Sequence, residues 1–165
     1  PGRDALIAAL VAEAQATFLG YLQRAMAAPT AERRFFAAGE QYLAFALEHP
    51  RRYAALFVDA VPSAADAAPR EAAWEDAATF RFLVDRIRDC AAEKVLVVAD
   101  AEDAALTVWA HVHGLVSLYL AGKLPTDEAR FRTIYRRSVR DLARAFGWRV
   151  EGATIRRIRR RRIPR

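Results

Sequence analysis

The stretch Thr107 to Gly114, TVWAHVHG, holds two of the chain's three histidines beside a tryptophan and a glycine. Histidine is the commonest metal ligand and a general base at neutral pH. Successive helical residues turn by about 100°, so His111 and His113 point to nearly opposite sides of a helix. They cannot close on one ion. A zinc site on a helix wants histidines four apart with acidic or thiol ligands to complete it. The pattern therefore excludes a metal motif and calls for no cofactor. His113 stays open between a hydrogen-bonded core histidine and a ligand contact, and His111 reads as an interface or surface residue.

Other chemistry is poorly supplied. The serines are Ser63, Ser117 and Ser138, and none sits in a glycine elbow. The lone Cys90 has Arg86 and Lys94 one turn to either side, cations that would lower its pKa, although a small apolar filler is the commoner role. Glu40 lies at the edge of an apolar stripe, exposed or paired with an arginine. Glycine-rich phosphate loops and paired carboxylates are missing.

Composition bounds the rest. The chain has 165 residues, 54% apolar and 28% charged, which suits one globular domain. Arginine outnumbers lysine 24 to 2, a coding bias that suggests a GC-rich bacterial genome. The net charge of +6 is uneven: residues 149–165 contribute +7, leaving −1 for the other 148. The body is thus no basic surface, and residues 149–165 read as a solvated, unstructured arginine-rich tail. One cysteine builds no disulfide within the chain, and no charged-then-apolar leader opens it, so the expected compartment is the cytoplasm. Ala104 to Gly122 runs 19 residues without a formal charge. Its histidines, Thr107, Ser117 and Gly114 favour a helix buried on both sides over a membrane span.

Helical spacing pervades the chain, and period-two alternation is absent. Asp4 is placed to cap a first helix reaching about Met26, with Leu6, Leu10, Ala14, Phe18, Tyr21, Leu22 and Ala25 as its stripe. Thr30 caps a second, ending at Pro50, whose ring disfavours helix in the preceding residue. In that helix Phe36, Gly39, Leu43 and Leu47 form the apolar side, with Phe35, Tyr42 and Ala46 adjacent. A short third helix spans 51–58, and Val61 to Pro69 reads as a loop. A fourth covers about 70–94. KVLVVAD, Lys94 to Asp100, is ambiguous: its β-branched run suits a short extended piece, yet it has no obvious partner strand. The fifth covers about 101–122, capped by Gly122. The sixth starts at Pro125–Asp127 and closes at Gly147. On the fifth, Trp109 and His113 share a side with Leu106, Val116 and Leu120, while Val108, Val112, Leu115 and Tyr119 form another. Two apolar sides imply two contacts, one with the chain's own core and one with a partner subunit. Gly114 in mid-helix costs up to about 1 kcal/mol, reasonable where a helix or ligand comes close.

FALEHPRRYAALF, Phe45 to Phe57, together with VWAHVHGLVSL, Val108 to Leu118, resembles the C-terminal regulatory domain of TetR-family transcriptional regulators. It is most similar to a subgroup marked by a Trp…His-Gly signature, here Trp109, His113 and Gly114. The resemblance covers about Asp4 to Trp148. It implies an all-α bundle of about six helices, orthogonal and antiparallel, with residues 1–148 as an effector-binding and dimerisation domain. The first five helices would enclose the pocket, and the last two would pair with their copies in a four-helix bundle. The implied pocket residues are Phe18, Leu22, Tyr42, Phe57, Trp74, Phe80, Trp109 and His113, suiting a small apolar or aromatic effector. The implied homodimer residues are Val112, Leu115, Tyr119, Phe131, Tyr135, Ser138 and Leu142. Two features depart from the family: the chain starts where the helix after the helix-turn-helix head would start, and KVLVVAD replaces a polar, glycine-containing loop. DNA would be read only through a head missing here. The resulting expectation is a non-enzymatic small-molecule sensor of a bacterial repressor. Two other classes stay open: a helical protein that binds nucleic acid through its arginine tail, and an enzyme using His113 with a carboxylate.

Overall fold

A computed structural model describes residues 2–57 and 78–148. The described residues form α1 (Arg3–Arg24), α2 (Ala31–Glu48), α3 (Pro50–Phe57), α4 (Ala78–Ala92), α5 (Ala101–Leu120) and α6 (Glu128–Ala145). They contain no strand. The fold is an all-α bundle, as the helical periodicity implied. The 61–69 loop, the start of the fourth helix, Trp74 and the arginine tail lie outside the described residues.

Helix ends follow local chemistry. Thr30 takes the backbone N–H of Arg33 at 3.2 Å. Asp100 accepts from the N–H groups of Glu102 and Asp103 at 2.8 and 2.9 Å. Asp127 accepts from Arg130 N–H at 2.8 Å. Each side chain replaces a carbonyl that the first helical turn lacks. The first helix differs from expectation: it begins at Arg3 with Gly2 in the cap position, ahead of Asp4. It ends at Arg24, followed by one 3-10 turn, Ala25–Ala27.

Three helices end the same way. The α5 terminus has Gly122 at φ +68°, with bonds from Lys123 N–H to Leu118 C=O and from Gly122 N–H to Tyr119 C=O, both 2.9 Å. The α6 terminus repeats the pattern with Gly147 at φ +86°. This double bond around a left-handed residue satisfies carbonyls that the last turn leaves free. In α4 the left-handed residue is Lys94, φ +59°, with Val95 N–H bonded to Cys90 C=O at 2.8 Å. That explains KVLVVAD. It is neither strand nor helix but a helix stop made without glycine, after which Leu96 buries and Val97 N–H donates to Phe146 C=O at 2.7 Å.

The His49–Pro50 corner joins α1, α2 and α3. Proline bars helical geometry at the preceding residue, and His49 has φ −129°, ψ 56°. The Tyr21 phenol of α1 donates to the Glu48 carboxylate and lies 3.2 Å from His49 Nε2. Arg52 of α3 donates to Thr17 Oγ1 at 2.9 Å and to Glu13 at 2.6 Å.

The core divides in two. One part centres on Phe18, Tyr42, Phe45, Tyr53, Val116 and Phe131. The other centres on Phe35, Phe80, Ile87, Ala105 and Trp148, and Phe36 and Trp109 touch both. The α1 stripe is corrected at its amino-terminal end. Leu6 and Leu10 are 61% and 55% exposed, whereas Ala14, Phe18, Tyr21, Leu22 and Ala25 are buried. The hydrogen bond from α3 nearest the start of α1 is at Glu13, and Leu6 and Leu10 lie in the turns before it. The stretch Ala5–Ala27 is long and apolar enough to cross a membrane by length and composition. Its second half instead packs as a core helix.

The α2 face is also rotated. Its buried residues are Ala31, Phe35, Ala38, Tyr42, Leu43, Phe45 and Ala46, so the residues expected to flank the stripe form its centre. On α5 the valines decide the inner face: Ala105, Val108, Val112 and Val116 are buried, while Leu106, Leu118 and Leu120 are exposed. The sequence reading put Val112 at the dimer face, on the same apolar side as Val108. In fact they point into the protomer.

Candidate functional site

Between the helices lies a cavity of about 220 Å³. All six helices contribute walls. Its described lining includes Phe18 and Leu22 of α1, Tyr42 of α2, Phe57 of α3, Phe80 of α4 and Trp109 of α5. These six are among the eight pocket residues expected from the sequence. Trp74 falls outside the described residues. His113 does not line the cavity and is corrected: its ring is turned toward α3, stacked on Tyr53 with centroids 5.8 Å apart. Sequence reasoning missed several wall residues, notably Leu56, Ala38, Val108 and Val139. Val139 brings α6 into a wall expected from the first five helices alone. Ala38 and Val139 sit one helical turn from Tyr42 and Tyr135, while Leu56 and Val108 are the sequence neighbours of Phe57 and Trp109.

The rings interlock around this space. Phe18 meets Tyr42 and Phe57 edge-on, both at 5.6 Å between centroids. Trp109 packs against Phe80 at 6.0 Å and Phe57 at 6.4 Å. Such edge-to-face contacts add about 0.5–1.5 kcal/mol per pair beyond buried area, so a wall built of them keeps its shape.

A polar network backs the cavity. His113 Nδ1 lies 2.9 Å from the Tyr53 hydroxyl and 3.3 Å from the Tyr42 hydroxyl. Tyr42 donates to Tyr53 at 3.2 Å. Ser117 Oγ lies 3.2 Å from the Tyr53 hydroxyl and 3.5 Å from His113 Nε2. Burial holds both phenols above their ordinary range and His113 below the ordinary histidine value. Among the described residues the His113 partners are phenols and a serine, with no carboxylate of the kind an acid–base relay would use. Tyr53 is the network's centre, and sequence reasoning overlooked it. Its signal was available: a tyrosine three residues after Pro50 on the inner face of a short helix must find a partner for its hydroxyl.

The remaining candidates are placed as follows. Cys90 is buried, and desolvation pushes its thiol up to about 12. The Arg86 guanidinium is committed to Asp89 at 2.8 Å, so the cysteine is a filler. Glu40 pairs with Arg136 of α6 through bonds of 2.7, 2.9 and 3.0 Å. His111 Nε2 lies 2.8 Å from Ser138 Oγ, tying α5 to α6.

The expected dimer residues split. Val112, Phe131 and Tyr135 are corrected: they are buried in their own protomer and have no surface to offer. The reason is periodicity, because Phe131, Tyr135, Val139 and Ala143 form the inner stripe of α6. Tyr135 sends its hydroxyl to the Gly39 carbonyl at 2.9 Å. Leu115, Tyr119, Ser138 and Leu142 are half-buried. Tyr119 stacks on Phe131 with centroids 3.9 Å apart. The contacts 111 to 138 and 119 to 131 fix α5 and α6 as antiparallel neighbours. Their outer face carries Ala110, Gly114 and Leu118, at four-residue spacing, beside Ile134. A methyl group built on Gly114 would meet nothing within 4 Å, so packing inside the protomer does not require glycine there.

The described residues thus form an all-helical bundle around an aromatic cavity, with an outward-facing helix pair. The chain belongs to the family of tetracyclin repressor-like C-terminal domains, whose family description matches residues 35–142. Its fold is similar to that of a protein with unknown function from Rhodococcus sp. RHA1, with a TM-score of 0.74. The two share 23% identity over 88% of this chain and 74% of that one. No curated protein matches the sequence.

Proposed function

We propose that this domain is the effector-sensing and homodimerising part of a TetR-like bacterial transcriptional repressor that acts in the cytoplasm. DNA is read by a separate head module. The observation that carries the reading is the aromatic cavity, walled by all six helices, with α5 between it and an uncovered helix face. A small apolar or aromatic molecule fills the cavity. A second copy covers Ala110, Gly114, Leu118 and Ile134 and completes a four-helix bundle. Binding favours one arrangement of α1 relative to that bundle, and the DNA-reading heads follow. The reading is non-enzymatic, which the phenol and serine partners of His113 among the described residues support. Sedimentation at micromolar concentration tests the dimer, and thermal unfolding with and without naphthalene-sized apolar compounds tests the cavity. A compact monomer, or an unfolding temperature indifferent to every such compound, overturns the respective half.

A second reading rests on the charge of residues 149–165, +7 against −1 for the rest. In it the stretch binds nucleic acid electrostatically. Its mark is salt-dependent DNA or RNA binding that disappears when those residues are deleted.

A further inference from the structure

We infer that the effector carries a neutral hydrogen-bond acceptor, a ketone, ester or ether oxygen, that takes the indole N–H of Trp109. This rests on the sensor reading above and adds the polar group that an otherwise apolar effector needs.

An indole Nε1 is a donor only, with no rotating proton or tautomer to reverse its role. Tryptophans that leave water usually find an acceptor for it. Trp148 does so: its Nε1–H donates to Glu32 Oε1 at 3.0 Å. Trp109 is half-buried and lines the cavity. Its ring packs on Phe80, His113 and Phe57, with centroids 6.0, 6.2 and 6.4 Å away. Yet no described residue accepts from its Nε1. Nor is that atom sealed in packing, because the buried side-chain polar atom without a partner among the described residues is Thr126 Oγ1. A wall of the cavity therefore holds a fixed donor whose partner is supplied from outside the bundle.

The other polar side chains of the described lining are Gln15, Tyr42 and Thr79. Hydroxyls and amides both donate and accept, so these three suit either kind of ligand group. Trp109 alone discriminates. A hydrocarbon seated against it removes water and leaves the N–H unpaired, which lowers affinity about 5- to 150-fold relative to a ligand that accepts the bond. A carboxylate also accepts, but the described lining has no lysine or arginine to pair with its charge. A neutral oxygen meets both conditions.

The test uses two naphthalenes of one shape: 2-acetylnaphthalene, with a C=O, and 2-isopropenylnaphthalene, with C=CH2 in its place. Each is titrated into nitrogen-15-labelled protein, and the Trp109 indole signal is identified by its loss in Trp109→Phe. The ketone is expected to move that indole proton downfield of its position with the alkene. Calorimetry then reads the ketone-to-alkene affinity ratio. Trp109→Phe lowers the ratio about 5- to 150-fold while the alkene still binds, which shows that the variant keeps its cavity. Tyr42→Phe leaves the ratio unchanged. The inference is overturned if the ratio survives Trp109→Phe, if Tyr42→Phe abolishes it instead, or if the alkene alone binds. An indole proton no further downfield with the ketone than with the alkene overturns it as well, even where Trp109→Phe does not fold. Each of these results leaves the sensor reading standing, since a compound is bound. If neither compound binds, both fall.

Discussion

Replacing Gly114 with alanine gives opposite results for a lone protomer and for a dimer. In the protomer the new methyl meets no atom within 4 Å, so it creates no clash. Alanine in a helix interior is favoured over glycine by about 1 kcal/mol, because glycine loses more backbone freedom on folding. A monomer therefore gains about 1 kcal/mol. In the proposed dimer, Gly114 lies between Ala110 and Leu118 on the face met by the second copy. There the methyl forces two helices apart or off their packing geometry, and overpacking of that kind costs about 1–3 kcal/mol. That corresponds to a dimer dissociation constant raised about 5- to 150-fold. Sedimentation equilibrium reads the constant. Urea unfolding at two protein concentrations reads the stability, since only a dimer shows a concentration-dependent midpoint. The expected outcome is a weakened dimer whose midpoint falls at high protein concentration. If Gly114→Ala raises the midpoint equally at both concentrations and leaves the association state alone, close helix approach at Gly114 is refuted.

His113 makes stability depend on pH. Burial lowers its pKa, so the unfolded chain binds the proton more readily than the folded one. Stability contributed by the neutral ring is present above 6.5, declines as pH falls below it, and levels off below the lowered folded value. His113→Gln flattens that part of a pH-dependent unfolding profile. Lys94→Gly relieves a left-handed residue and raises stability by about 1 kcal/mol in denaturant unfolding. Cys90, buried and with its thiol pushed up to about 12, resists alkylation by iodoacetamide in the native protein. Its labelling rate is expected to rise only as the protein unfolds, read by mass spectrometry.

Much of the bundle was legible because helix ends are local. Thr30, Asp100, Asp127, Gly122 and Gly147 each act through bonds to residues within a few positions. The Lys94 stop was not legible, since nothing in its side chain announces a left-handed backbone. Instead, Leu96 burial and the Val97–Phe146 bond impose it from across the fold. Helix faces were read less well than helices. On α5 the eye goes to Trp109 and His113, yet the buried line runs through Val108, Val112 and Val116. Which of two apolar sides turns inward is set by neighbouring helices, and a single helix's periodicity is silent on it. The pocket aromatics were legible as apolar positions. The hydroxyl network was not, because Tyr42, Tyr53 and His113 come from three separate helices.

The uneven burial of α1 has a mechanical consequence. Phe18 and Leu22 are part of the cavity wall, while Leu6 and Leu10 stand clear of the described body. Arg3 lies 15 residues from Phe18, about 22 Å along the axis at the α-helical rise. A tilt of about 5° pivoting at Phe18 therefore carries the free tip about 2 Å. On the proposed sensor reading, the helix is a lever whose short arm meets the contents of the cavity and whose long arm magnifies the response.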